Sequence, residues 1–234
     1  MTDWSQLVHP WFTLDANTVE ALQDLSPILS RVPPETDDIQ WNLLLTVWSA
    51  YAKSVNALSG IKTYELWHGE AVRHGYEELP KHVILWGTID GAQGSMHSAL
   101  DNLAHAVWLV ENPRGAGNYH PDSFNQLFDG KRGLIGAKSA TKLSPPLIDT
   151  LIAIYNNDGQ KLSNLNNTSK HKRSIIPRQP IPPEFQSNPL FQPLIAQQDS
   201  QEMPGWFAEI KEMVEHILPH FWQALPLVMY DAGY

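Results

Sequence analysis

The 234-residue chain has no cysteine. Disulfides, thiolate metal sites and a cysteine nucleophile are therefore excluded. It has no uninterrupted apolar run of the roughly 18 residues that a spanning helix needs, so no membrane segment is expected. The opening MTDWSQLVHP lacks a basic stretch followed by an apolar core, so no signal peptide is expected and a soluble cytoplasmic protein is the default. Several motifs are also missing: GxGxxG, the phosphate-binding GxxxxGK, HExxH, a serine elbow and the ExxH pairs of di-iron bundles. No repeat is evident, and no alternating strand pattern exceeds a few residues. One domain of this size buries about 70% of its unfolded surface, so it needs no covalent staple.

What remains is helical periodicity. The spacing predicts an all-α bundle with two long central helices, a long irregular insertion and a proline-rich strap, all in a single domain over 1–234. A first helix is expected over 14–31, broken late by Pro27. A helical hairpin is expected over 36–112. Its first arm starts at the cap Thr36 and carries Ile39, Leu43, Val47, Ala50, Ala57 and Ile61, with Gly60 a candidate interruption. Its second arm, from Pro80, carries Leu85, Ile89, Ala92, Met96, Ala99, Leu103, Ala106 and Val110 at alternating spacings of four and three. Gly87, Gly91 and Gly94 form a second strip. Each helical glycine costs about 1 kcal/mol, which points to close approach of another helix, with room for a ligand as the lesser reading. Trp41, Trp48, Trp67, Trp86 and Trp108 are expected mostly in the core.

Residues 113–143 read as irregular, with Phe124, Leu127 and Phe128 among their few apolar residues. Ser144-Pro145-Pro146 caps helical segments over 144–173, interrupted at Asn156-Asn157-Asp158-Gly159. Prolines between Pro177 and Pro193 predict an extended strap over 177–204. A last helix over 205–225 carries Phe207, Ile210, Val214, Ile217 and Phe221, with Pro219 as a kink.

Charge is unevenly placed. The chain carries −9, but residues 131–178 hold nine cations against Asp149 and Asp158, a local +7 that leaves −16 elsewhere. Such a segment can attract phosphate, with Lys172, Lys161 and Lys142 as candidate phosphate ligands, or it can pair with the acidic remainder. The charge count does not choose between them.

Two polar clusters could carry chemistry. Asn166-Asn167-Thr168-Ser169-Lys170-His171-Lys172-Arg173 reads as a helix end rich in donors and cations. His171 can move a proton near neutral pH, while Asn167, Lys170 and Arg173 can hold a phosphate. Such a set suits metal-independent RNA cleavage, in which a 2′-hydroxyl attacks its own phosphate. The bland reading is a solvated helix terminus whose cations complement the dipole. The second cluster is His97, Asp101 and His105 at four-residue spacing, with Asn102 beside them. It offers a His–carboxylate pair or two His plus a carboxylate for a metal, against a plainer role as interhelical hydrogen bonds. His216 and His220 flank Pro219, which weakens a metal reading there. No cofactor is expected.

His97-Ser98-Ala99-Leu100-Asp101-Asn102-Leu103-Ala104 and Leu165 through Arg173 together resemble an uncharacterised bacterial helical family with segments like RSALDHLA and LDNIDKHR. The resemblance covers about residues 80–176. Both segments also distantly resemble HEPN-domain proteins, which are helical, often dimeric, and in many cases ribonucleases of toxin or defence systems. That resemblance implies RNA or a nucleotide as partner, a homodimer, and His171 as the acid or base. The chain departs from the HEPN pattern at Asn166, where an Arg stands. It departs from the bacterial family at His97 in place of Arg and at Asn102 in place of His. A non-catalytic binding or assembly module of the same fold is the alternative, and a metal-dependent bundle enzyme is the third.

Overall fold

A computed structural model describes residues 14–30, 38–74, 79–112, 121, 123–129, 135, 142–171, 176–178 and 198–234. In chain order the elements are α1 (Ala16–Leu29), α2 (Asp38–His74), α3 (Leu79–Glu111), a 3-10 turn (Phe124–Phe128), α4 (Pro145–Ile154), α5 (Gln160–His171), β1 (Ile176–Arg178), β2 (Gln198–Glu202) and α6 (Met203–Asp231). The architecture is an all-α bundle. The short parallel pair β1–β2 is its one described strand pairing, setting Ile176 opposite Gln198 and Arg178 opposite Glu202. Most of the predicted strap, 179–197, and much of the 113–143 insertion lie outside the described residues.

The hairpin of α2 and α3 is the spine. The two helices run antiparallel: Gly60 stands beside Thr88 and Ala92, and the Asn102 amide donates to Ser49 Oγ at 3.0 Å. The seven-residue repeat of α3 is core, with Leu85, Met96, Leu103 and Val110 all buried. Helix α2 runs through Gly60 without interruption. A Cβ there would sit 3.0 Å from Ala92 Cβ and 3.1 Å from the Thr88 carbonyl oxygen. The missing side chain is what lets the two backbones approach.

Helix α6 completes the core by packing on α1, α2, α3 and α4. Phe221 and Trp222 are fully buried. The Trp222 indole N–H donates to Ser54 Oγ at 2.8 Å, and that hydroxyl donates to the Tyr51 carbonyl at 2.7 Å, so a polar chain crosses the core with its donors satisfied. The helix contains both Pro219 and Pro226 and ends at Asp231, six residues beyond the sequence expectation. Burial of Leu225, Val228 and Met229 holds the last turns in place. Likewise α1 passes through Pro27 and ends at Leu29, because Leu25 and Ile28 remain anchored in the core.

One expectation is corrected. Among the described residues no other helix approaches the glycine strip of α3: nothing there lies within 4 Å of a Cβ placed at Gly87, Gly91 or Gly94. At about 100° per residue the strip stands opposite the apolar stripe, on a side that no described element covers at these glycines. The tryptophans are mostly core, as expected, with two exceptions. Trp108 is buried, Trp41 and Trp86 are partly buried against the core, and Trp48 and Trp67 are 51% and 49% exposed.

Candidate functional site

The 3-10 turn and the start of α5 both pack on α3. Phe124 and Leu127 anchor the turn in the core, and Phe128 stacks on Tyr155 with centroids 4.2 Å apart. These apolar anchors bring the turn's backbone onto Asp101, whose Oδ1 accepts the Phe124 N–H at 3.1 Å. The other carboxylate oxygen, Oδ2, lies 3.1 Å from His97 Nδ1. That contact has ion-pair distance without hydrogen-bond alignment, and among the described residues neither ring nitrogen of His97 has a hydrogen-bond partner. His97 is 2% exposed. Its carboxylate partner is thus held by backbone, while its Nε2 is left for something else to meet.

One turn earlier on the same face, Gln93 is buried with its amide oxygen unpartnered. On α5, Ser163 is fully buried with its hydroxyl also unpartnered. Asn125 of the turn donates to Asn164 Oδ1 of α5 at 3.1 Å, tying the two elements together. Such orphaned buried polar atoms are uncommon in folded chains, and each costs about 1–3 kcal/mol. Gln93, Asn125, Ser163 and Asn164 were not singled out by sequence reasoning. Gln93 was accessible to it, since it stands four residues before His97. The other three depend on how the turn meets α5.

The structure divides the second polar cluster. A helical residue spaced by four drifts about 40° per step, so His105 points roughly 80° away from His97. His105 lies against Trp108 with centroids 5.9 Å apart, and Asn102 turns to Ser49 on α2. His97 and Asp101 stay together as a pair. Among the described residues no three His, Asp or Glu side chains converge as a metal site, and His97, Asp101 and His105 form none.

The first cluster occupies the end of α5. Asn167, Lys170 and His171 lie in its final turns, as expected from a polar helix terminus; their side chains, with Lys172 and Arg173, lie outside the described residues. Lys142 is exposed. Lys161 forms an ion pair with Glu209 of α6 at 2.9 Å. The hydrogen bond to Glu209 raises the Lys161 pKa, and Asp158 and Glu212 add to the shift. Other carboxylates of the acidic remainder also meet this segment. Glu111 Oε1 accepts the backbone N–H groups of Lys142 and Leu143 at 2.6 and 3.1 Å. Asp231 Oδ2 accepts that of Ser144 at 2.8 Å. Of the segment's two cations with described side chains, Lys161 is met within the fold by Glu209, while Lys142 stays exposed.

Between α4 and α5 the chain makes a kink rather than an open loop. Asp158 takes a left-handed φ of 70°, and its carboxylate lies 2.9 Å from His216 Nδ1 on α6. His216 therefore belongs to this kink and makes no pair with His220.

Comparison with protein-family models, curated proteins and solved structures finds no match to this chain. Among the described residues no helix is long and apolar enough to cross a membrane. The class that fold and site define is an all-α bundle with a His–Asp pair, its imidazole buried, at the junction of α3, the 3-10 turn and α5.

Proposed function

We propose that the protein engages RNA or a nucleotide at the α3–α5 junction, in the manner of a HEPN-like bundle without a metal. The supporting observation is the packing of α5 on α3. It joins the helix that carries Asn167, Lys170 and His171 to the helix that carries the His97–Asp101 pair. In this reading Lys170, Lys172 and Arg173 bind phosphate, because Lys161 is already neutralised by Glu209. His171 and His97 divide the acid and base work of 2′-hydroxyl attack, with Asp101 orienting His97.

The test uses a labelled single-stranded RNA in chelator. Anisotropy should show affinity falling steeply with salt, and Lys170→Ala/Lys172→Ala/Arg173→Ala should weaken binding and flatten the salt slope by about 2–3. His171→Ala and His97→Ala should each leave binding within about threefold while lowering cleavage at least about 100-fold. A triple variant that binds normally would show that the basic segment is wholly turned toward the protein's own carboxylates. Normal cleavage by both histidine variants would remove the ribonuclease reading.

A further inference from the structure

Three polar side chains at the α3–α5 junction are buried with groups that meet nothing among the described residues. His97 leaves both ring nitrogens without a hydrogen bond, Gln93 its amide oxygen and Ser163 its hydroxyl. All three residues are at most 2% exposed. The fold links them. Gln93 stands one turn before His97 on α3. Ser163 precedes Asn164, whose amide oxygen accepts from Asn125. Asn125 follows Phe124, whose N–H is held by Asp101, the partner of His97. A core built for stability alone fills such positions with apolar side chains, as it does at Met96 and Leu100, because each orphaned polar group lowers stability.

The chemistry of the three groups selects what meets them. Asp101 Oδ2 lies at His97 Nδ1, which favours the ring proton there and leaves Nε2 of the neutral ring as an acceptor. Gln93 adds a second acceptor, Oε1, and Ser163 adds a hydroxyl that donates or accepts. Two acceptors repel a phosphate and call for N–H or O–H donors. A ribonucleotide carries such donors in its 2′-hydroxyl and, on adenine and cytosine, in an exocyclic amine at the base edge.

Resting on the RNA reading above, we infer that Gln93 and Ser163 are base-reading residues that select adenine or cytosine. The 2′-hydroxyl donates to His97 Nε2. The exocyclic amine of the base donates to Gln93 Oε1, and the Ser163 hydroxyl donates to the unprotonated ring nitrogen beside that amine. Hypoxanthine and uracil reverse both groups, with a carbonyl in place of the amine and an N–H at the ring nitrogen. They set an acceptor against Oε1 and leave it unpaired. The three groups are covered, so the base enters as the later turns of α5 part from α3. Leu162 anchors the first turn of α5 in the core. The ties from Asn164 to Asn125 and from Lys161 to Glu209 lie at the surface, where such contacts hold weakly.

The experiment measures anisotropy of the full chain with labelled short single-stranded RNAs of one length, made of A, I, C or U alone. All four carry the same phosphates, so charge-driven binding is common to them, and the pairs A/I and C/U differ chiefly at the base edge. A should bind at least about tenfold tighter than I, and C than U. Gln93→Met should erase both preferences. Gln93→Met and Ser163→Ala should each raise the melting temperature by about 2–4 °C, because each removes an orphaned group. Equal binding of all four RNAs would overturn the inference and leave the RNA reading standing. Binding of none would remove the RNA reading, and this inference with it. A preference for I and U, or a preference that survives Gln93→Met, would also overturn it. So would a fall in melting temperature with both variants, since the two groups would then serve the fold.

Discussion

At the scale of single residues, the bundle turns on where side chains are missing. Gly60 and Gly159 each fill a space that a Cβ would contest, one against the backbone and Ala92 of α3, the other 2.5 Å from the Ile154 carbonyl oxygen. A helical glycine replaced by a larger residue gains up to about 1 kcal/mol of propensity. At these two positions overpacking of about 1–3 kcal/mol outweighs that gain. Gly60→Leu and Gly159→Ala should therefore lower stability in urea titrations, whereas simple propensity predicts a rise. An increase for either would mean that the facing backbone yields freely.

At the scale of elements, α1 owes its start to a single cap. Asp15 accepts both the Thr18 backbone N–H and the Thr18 hydroxyl at 2.8 Å. Burial pushes the Asp15 carboxyl up, but the hydrogen bonds from Thr18 and from the backbone of Asn17 outweigh it and hold the pKa below its ordinary value. A depressed carboxylate stabilises the fold above its unfolded pKa, and that contribution is lost as pH falls through the folded value. Asp15→Ala should cost about 1 kcal/mol at neutral pH. The gap between variant and parent should close as the solution is acidified below the ordinary carboxylate range. A gap that persists unchanged in acid would assign the loss to packing. The cap matters beyond its own helix, because Thr18 Oγ1 also accepts the Gln223 amide of α6 at 3.3 Å.

At the scale of the whole molecule, α6 is tied to α2 by a small charge network. Glu65 meets Lys211 at 2.6 Å and Lys62 at 2.9 Å. Burial raises Glu65, but the hydrogen bonds from Lys211 and Lys62 outweigh it and lower its pKa, while the bond to Glu65 raises that of Lys211. The acid's contribution is present above the ordinary carboxylate pKa and is lost as pH falls through the depressed one. The lysine's is present below the ordinary lysine pKa and is lost as pH rises through the raised one. Both act fully between those limits. The groups are about a third exposed, so Lys211→Ala should cost only about 0.5–1 kcal/mol at neutral pH. Thermal melts should show that difference shrinking at both pH extremes and in high salt. A larger, salt-insensitive loss would mean that the lysine stem, rather than its charge, carries the contact.

Helix existence, helix order and the buried stripe of α3 were legible in the residues, because a repeated apolar spacing has one low-energy outcome when water is the alternative. Leu85, Met96, Leu103 and Val110 are buried for that reason. Helix ends were less legible: Pro27 and Pro219 break an isolated helix, but here the surrounding core outweighs the lost hydrogen bond. The sequence placed His97 and Asp101 one turn apart, and local geometry kept them so. Only the tertiary structure brought the 3-10 turn onto Asp101 and spent Lys161 on Glu209, since those contacts join residues far apart in the chain. The same holds for the side of α3 that its glycines occupy. Spacing set glycines opposite the apolar stripe of α3, but which side of a helix stays uncovered depends on where every other helix packs.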